Sequence, residues 1–451
     1  MTISRVLVAN RGEIGVRIIK ACQALGIESV VAVSEADRES LPSKMASRVV
    51  CIGPASSSDS YLKAEAVIAA ALGTGSDAIH PGYGFLAEEP ELAAGCAECG
   101  VKFIGPRVEN IRQMGNKLLA RAVVSGYGIP IVPGSRKVGS FQEASVVAGE
   151  MGFPVLLKAA AGGGGRGIQI VKDGRELQRA FETAAAEARA AFGDETLYVE
   201  RYIPNARHIE VQVLGDRFGS VLHVGERDCS LQRRYQKVVE EAPASCISDH
   251  LREEIREAAL TIAREMHYEN AGTVEFIVDQ DNGRFYFLEM NTRIQVEHPV
   301  TEMITDIDLV KEQIRIADGQ PLAFHQSDVR FHGHAVECRI NAESARHGFQ
   351  PCPGSIVEWS PPEGPGVRVD SHCFPGYFVP PYYDSLLAKV ITQGAERHEA
   401  VERMLQALAN FVVTGVDTTI PFLRFLLSQP GYREGKVNTQ WVEGKLEQFS
   451  L

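Results

Sequence analysis

A short apolar run followed at once by helical spacing constrains this chain most. Val6-Leu7-Val8-Ala9 reads as a buried strand, and Ile14, Arg17, Ile18, Ala21 and Leu25 then recur on one helical face. Gly26 closes that helix, and Ser29-Val30-Val31-Ala32-Val33 is the next strand. Ala78-Ile79-His80 and Lys102-Phe103-Ile104 continue the alternation. Strands separated by helices join through crossovers, so the pattern predicts an α/β fold with a doubly wound parallel sheet at the N-terminus. The first strand turn holds Gly12 and Gly15 but no G-x-G-x-x-G, so it carries no dinucleotide signature. His80-Pro81-Gly82-Tyr83-Gly84-Phe85 reads as a rigid loop at a strand end.

Beyond Pro130-Ile131-Val132-Pro133-Gly134 the pattern changes, which marks a new subdomain. Residues from Val155 to Ile203 read as strand, Gly-rich turn, strand, helix and strand. Strands dominate from Tyr202 to Met303, with a helix near Leu251 to Met266 and a turn at Asp281-Asn282-Gly283. A helix over Leu309–Ala317 ends before Gly319 and Pro321. From His332 the chain is strand-rich, with a helix near Glu396–Ala409, giving a C-terminal α+β domain. The 451 residues exceed one ordinary core and imply two or three domains. No apolar run is long enough to span a membrane, and the first residues lack the parts of a signal peptide. The net charge of −12 would repel a polyanion over most of the surface, which argues against nucleic acid as a partner. Nine dispersed cysteines fit a reducing cytoplasm, and the Cys96/Cys99 pair reads as chance spacing near a helix end.

Four stretches could carry chemistry. Gly162 to Gly165, then Arg166 and Gly167, lie between two strand-like runs, with Lys158 and Arg166 bracketing the glycines. Such a run lets backbone N–H groups approach phosphate oxygens, though a bare hairpin tip would look the same. Folding about Asn282-Gly283 brings Glu275 opposite Glu289, or one pair out of step. Like charges across a ladder repel, and a divalent cation would reverse that sign; two solvated strand-end acids are the alternative. If the chain stays extended, Glu289, Asn291, Arg293, Gln295 and Glu297 share one face, a set hard to explain by packing. The mixed-charge stretch from Glu226 to Lys237 could hold an anion through Lys237 or its arginines, or form a salt-bridged loop at Arg233 and Arg234. Within it Cys229 reads as a packed thiol.

With those residues in hand, the chain resembles biotin carboxylase, an ATP-grasp family, from end to end. The matching stretches include A-N-R-G-E-I at 9–14, H-P-G-Y-G-F-L at 80–86, G-G-G-G-R-G at 162–167 and R-H-I-E-V-Q at 207–212. The strongest are E-R-D-C-S-L-Q-R-R-Y-Q-K-V-V-E-E-A-P at 226–243 and E-M-N-T-R-I-Q-V-E-H-P-V-T-E at 289–302. G-H-A-V-E-C-R-I-N-A-E at 333–343 and P-Y-Y-D-S at 381–385 complete them.

The resemblance implies an N-terminal domain over 1–114, an ATP-grasp domain over 115–318 with a lid over 131–203, and a C-terminal domain over 332–446. It implies ATP contacts at Lys117, Lys158, Gly164, Gly165, Glu200, Arg201, Tyr202, Ile203, His208, Gln232 and Tyr235, with Glu275 and Glu289 completing that set. Glu275, Glu289 and Asn291 match positions for Mg²⁺ or Mn²⁺, two ions in all. Lys237, Arg293, Gln295, Val296 and Arg339 match the bicarbonate and biotin pocket. Glu297 matches the base that deprotonates bicarbonate, and Arg339 the cation that stabilises the biotin enolate. The implied activity is ATP-dependent carboxylation of biotin by bicarbonate, with acetyl-CoA as the leading final acceptor for fatty acid synthesis. Acceptors resembling pyruvate, oxoglutarate or urea are alternatives, as is a catalytically silent nucleotide-binding regulator. The chain lacks an A-M-K-M-type biotinyl-lysine motif, so biotin is expected on a separate carrier protein, with separate carboxyltransferase partners. A homodimer is also implied. Tyr235 stands where histidine or asparagine is usual, Asn116 for aspartate, Ala87 for serine, and Ser344-Ala345 for Asp-Pro.

Overall fold

The computed structural model describes residues 2–160 and 167–450. The N-terminal part has the expected parallel sheet, in the order Arg48–Gly53, Glu28–Ser34, Arg5–Val8, Ala78–His80, Lys102–Phe103. Val6, Leu7 and Val8 are fully buried because both faces are covered, which is why this strand reads as a continuous apolar run. Helix Gly12–Ala24 follows it after a turn in which Gly12 has φ +66°.

A small antiparallel sheet, in the order Ile168–Val171, Val155–Ala159, Leu197–Arg201, comes next. Helices Phe141–Met151 and Leu177–Phe192 cover it and close a separate apolar core around Val155, Leu157, Leu197 and Val199. Most of the glycine run, Gly164 and Gly165 included, lies outside the described residues.

The largest element is an eight-stranded antiparallel sheet. Its order is Arg284–Asn291, Asn270–Asp279, Ala206–Gly215, Val221–Arg233, Gln236–Ala242, His334–Asn341, Leu386–Gly394, Val367–Ser371. Pairing of Gln236–Ala242 with His334–Asn341 carries the sheet without a break from the central segment into the C-terminal one. Lys237 and Arg339 therefore sit on adjacent strands, although 102 residues separate them in sequence (339 − 237).

One expectation is corrected. The face shared from Glu289 to Glu297 requires an extended chain, but the strand stops at Asn291 and Glu297 caps helix His298–Thr305. The ladder ends because Thr292 turns its N–H to Glu88 Oε1 at 3.0 Å, and Ile294 is drawn fully into the N-terminal core. Period two accounts for Glu289 and Asn291; a loop delivers Arg293, Gln295 and Glu297.

Candidate active site

The turn at Asn282-Gly283 sets the register that the site needs. Gly283 has φ +68°, and the Asn282 amide donates to Asp279 Oδ2 at 2.7 Å. That register runs to the pair of Phe276 with Phe287; a one-residue bulge at Leu288 then makes Glu275 the direct partner of Glu289, and Thr273 that of Asn291. Direct partners share a face, so the two acids stand side by side as the like-charge argument requires. Glu289 is met by Lys117 Nζ at 3.2 Å. Lys117 opens helix Lys117–Gly126, whose cap is Asn116, accepting from Leu119 N at 3.0 Å. Asparagine and aspartate both serve as N-caps, so the departure at Asn116 keeps the element that presents Lys117.

Glu275 is buried and multiply held. It accepts from Lys237 Nζ at 2.9 Å, Asn291 Nδ2 at 2.8 Å and Gln295 Nε2 at 2.9 Å, with His208 Nε2 at 3.0 Å. Burial alone would raise its pKa, but Lys237 and His208 outweigh burial and hold the carboxyl well below the usual range.

Lys237 is the hub. Its Nζ lies 2.5 Å from Glu210, 2.9 Å from Glu275 and 2.6 Å from Glu297. Burial opposes its charge, yet three carboxylates push the ammonium well above its ordinary value. Glu297 also meets Arg339 Nη2 at 2.9 Å. Burial raises the Glu297 pKa, but Lys237, Arg339 and Arg227 together hold it well below the carboxylate range. Arg339 is steadied from behind by Glu240, Nε to Oε1 at 2.6 Å.

Arg293 is fixed through all three guanidinium nitrogens. Nε donates to Glu88 Oε2 at 2.8 Å, Nη1 to Gln295 Oε1 at 2.8 Å and Nη2 to Asn291 Oδ1 at 2.9 Å. At the other end, Lys158 Nζ meets Glu200 Oε2 at 2.8 Å, and Arg121 pairs with the other oxygen of the same carboxylate. Arg201 ends the same strand, Leu197–Arg201, that carries Glu200, and Tyr202 and Ile203 follow it. Gln232 Nε2 and His208 Nδ1 lie 2.8 Å apart. Tyr235 is partly exposed at the tip of a hairpin, with φ +63° after Arg234 at +49°. The usual histidine or asparagine tolerates such a backbone better than tyrosine.

The described residues expected at the nucleotide, metal and anion positions all border one cleft of about 890 Å³, with one exception. Glu297 has no exposed surface and lies behind Lys237 and Arg339. Three supporting groups escaped sequence reading, Glu88, Glu210 and Glu240, while Arg227, one of the arginines read as a possible anion ligand, is a buried support away from the cleft lining. Glu210 could have been found, because His208, Glu210 and Gln212 alternate along one strand as Glu289 and Asn291 do. Arg227, fully buried, donates to Glu210 Oε1 at 2.5 Å. Cys229 is buried 3.8 Å from Glu297, and burial beside Glu210 pushes its thiol well up, as a packed thiol requires.

Among the described residues, His208, Glu210 and Glu275 place donor atoms close enough to share a metal ion. Both Glu210 oxygens, however, are already engaged by Arg227 and Lys237. Glu275, Glu289 and Asn291 supply hard oxygen donors on one cleft-facing hairpin, which suits a divalent ion such as Mg²⁺.

Residues 2–111 match the biotin carboxylase N-terminal domain, and residues 337–444 the biotin carboxylase C-terminal domain. Residues 116–325 match the carbamoyl-phosphate synthase L chain ATP-binding domain. The chain is 51% identical over 442 residues to biotin carboxylase 1 of Bacillus subtilis, covering 98% of each. It is 48% identical to a pyruvate carboxylase component of Methanothermobacter thermautotrophicus, covering 98% of this chain and 89% of that protein. The biotin carboxylase domain dimer of Hydrogenobacter thermophilus 2-oxoglutarate carboxylase, solved with MgADP and bicarbonate, superposes with a TM-score of 0.97. It is 48% identical, and the match covers 100% of this chain and 99% of that one.

Proposed function

Because this chain belongs to the biotin carboxylase family, we propose that its cleft uses ATP and bicarbonate to carboxylate biotin held by a separate carrier protein. The observation that carries this reading is the arrangement of Lys237, Arg293 and Arg339 on one cleft wall with Glu297 behind them. Three cations at one wall suit a small anion. Lys117 and Lys158, on separate elements, suit the phosphates of ATP. Glu275, Glu289 and Asn291 would hold Mg²⁺ or Mn²⁺, which when bound offsets charge on the transferred phosphoryl group.

In this reading bicarbonate oxygen attacks the γ-phosphate, giving carboxyphosphate and ADP. Carboxyphosphate then breaks to CO₂ and phosphate, phosphate takes the ureido proton of biotin, and the freed nitrogen attacks CO₂. Lys237 and Arg339 depress Glu297 as a base, but the same cations lower the cost of deprotonating a bound bicarbonate. The proton therefore moves between two groups whose affinities have both fallen. Bicarbonate must displace a cation from Glu297 to reach it, which couples substrate binding to uncovering the base. Arg339 would then steady the negative oxygen of the biotin enolate.

Residues 1–114, 115–318 and 332–446 act as three cooperating domains in this proposal, with 131–203 as a lid over the cleft. The leading acceptor is acetyl-CoA, reached through a carrier and carboxyltransferase, with this chain as a homodimer. The likeness to pyruvate and 2-oxoglutarate carboxylase components favours a second reading with those acceptors. The test follows ¹³C from bicarbonate into carrier-bound biotin by mass spectrometry. Label in biotin only when ATP is present supports the reading; label absent with ATP, bicarbonate and carrier supplied contradicts it.

A further inference from the structure

The loop from Thr292 to Glu297 is neither strand nor helix, so something other than a ladder must fix it. Two of its carbonyls are tied down by side chains from outside it. Gln295 O lies 2.8 Å from His298 Nδ1, and Val296 O accepts from Lys389 Nζ at 2.8 Å. The His298 nitrogen facing a carbonyl must carry hydrogen, and burial, helped by Lys389, holds this imidazole neutral. Lys389 is fully buried on strand Leu386–Gly394, an unusual place for a lysine. Its other partner is Glu13 Oε1 at 3.2 Å, on the first helix of the N-terminal part. The Tyr83 hydroxyl donates to that same Glu13 oxygen. The A-N-R-G-E-I and H-P-G-Y-G-F-L stretches thus converge on one ammonium group, from parts of the chain far in sequence from the loop they steady.

We propose that Lys389, aimed by Glu13 and Tyr83, is a positioning residue that sets the Gln295-Val296-Glu297 loop for anion binding. A trans peptide points its N–H opposite its C=O. Fixing the carbonyls of Gln295 and Val296 therefore fixes the N–H directions of Val296 and Glu297. It also sets the backbone from which Gln295 reaches Glu275 and Glu297 reaches Lys237 and Arg339. Lys389 borders no part of the cleft and touches no reacting atom. The groups around it are Glu13, Tyr83, Glu337, Arg339, His298 and the Asp370–Arg368 pair, so its charge is balanced inside the fold without substrate.

The assignment rests on the bicarbonate reading of the cleft, and the test separates the two. ATP cleavage is measured against bicarbonate and against ATP for the parent, Lys389→Met and Glu13→Gln. Loss of one charged hydrogen bond to the loop should raise the bicarbonate KM of Lys389→Met about tenfold, with the ATP KM within about twofold. Glu13→Gln keeps the shape and leaves Lys389 in place, so it should shift the same KM by about threefold, and it serves if Lys389→Met does not fold. A bicarbonate-dependent parent whose folded variants keep its bicarbonate KM, or lose ATP and bicarbonate in parallel, overturns the Lys389 assignment alone. A parent indifferent to bicarbonate overturns the functional reading, and the assignment with it.

Discussion

Lys237 shows what a single side chain does here. It bridges three carboxylates, and with Arg227 and Arg339 it offsets their charge in one buried space; in doing so it covers Glu297. Sequence spacing marks both residues but cannot show that one hides the other. Glu297→Gln keeps the shape while removing the proton acceptor. It should lower biotin carboxylation more than about a hundredfold, while calorimetry finds the Mg-ATP dissociation constant within about twofold of the parent. Parallel loss of ATP affinity would show that Glu297 serves the nucleotide side instead. Glu88 lies beyond sequence reasoning for a plain reason. It reaches Arg293 from 205 residues away, and no periodicity links positions that only the tertiary fold brings together.

At the scale of the element, the hairpin is legible because its cause is local. Asn-Gly turn chemistry and period-two alternation specify the pairs from Asp279 with Arg284 to Phe276 with Phe287, and a one-residue bulge at Leu288 then brings Glu275 opposite Glu289. The loop after Asn291 is not legible, because its shape depends on Glu88, His298 and Lys389 from other segments. The central strands hold a second consequence in Glu337, which pairs across the ladder with Glu240. Among the described residues neither Glu337 oxygen has a hydrogen-bond partner, and burial pushes its carboxyl well above the ordinary value. Burial also raises Glu240 and Glu13 to about 7. A raised carboxyl contributes stability below its unfolded pKa of about 4.5 and loses it as pH climbs through the folded value. Glu275 and Glu297, held low, work the other way: their contribution is present above about pH 4.5 and drains as pH falls below it toward their depressed folded values. Thermal unfolding should therefore show a melting temperature that falls as pH climbs from about 4.5 through about 7, with Glu337→Gln flattening part of that fall. Parallel curves for parent and variant would mean that Glu337 does not titrate in this range.

On the scale of the whole molecule, the cleft exists because one antiparallel sheet runs through both the central and the C-terminal segments. Its strands carry Glu275, Lys237 and Arg339, while helix Lys117–Gly126 and the small sheet bring Lys117 and Lys158 to the same cleft. The α/β class and the N-terminal parallel sheet are readable from alternating apolar patterns, since each strand and helix there is specified within its own window. The continuous eight-stranded sheet is not, because pairing Gln236–Ala242 with His334–Asn341 is a long-range event with no local signature. The family resemblance supplies what periodicity cannot, and the geometry gives it physical content: cations, carboxylates and a hard-donor hairpin facing one space. The most direct measurement is ATP cleavage with bicarbonate and free biotin added singly and together. The account predicts that full turnover needs both; turnover that depends on an amine or amino acid and ignores biotin would contradict it.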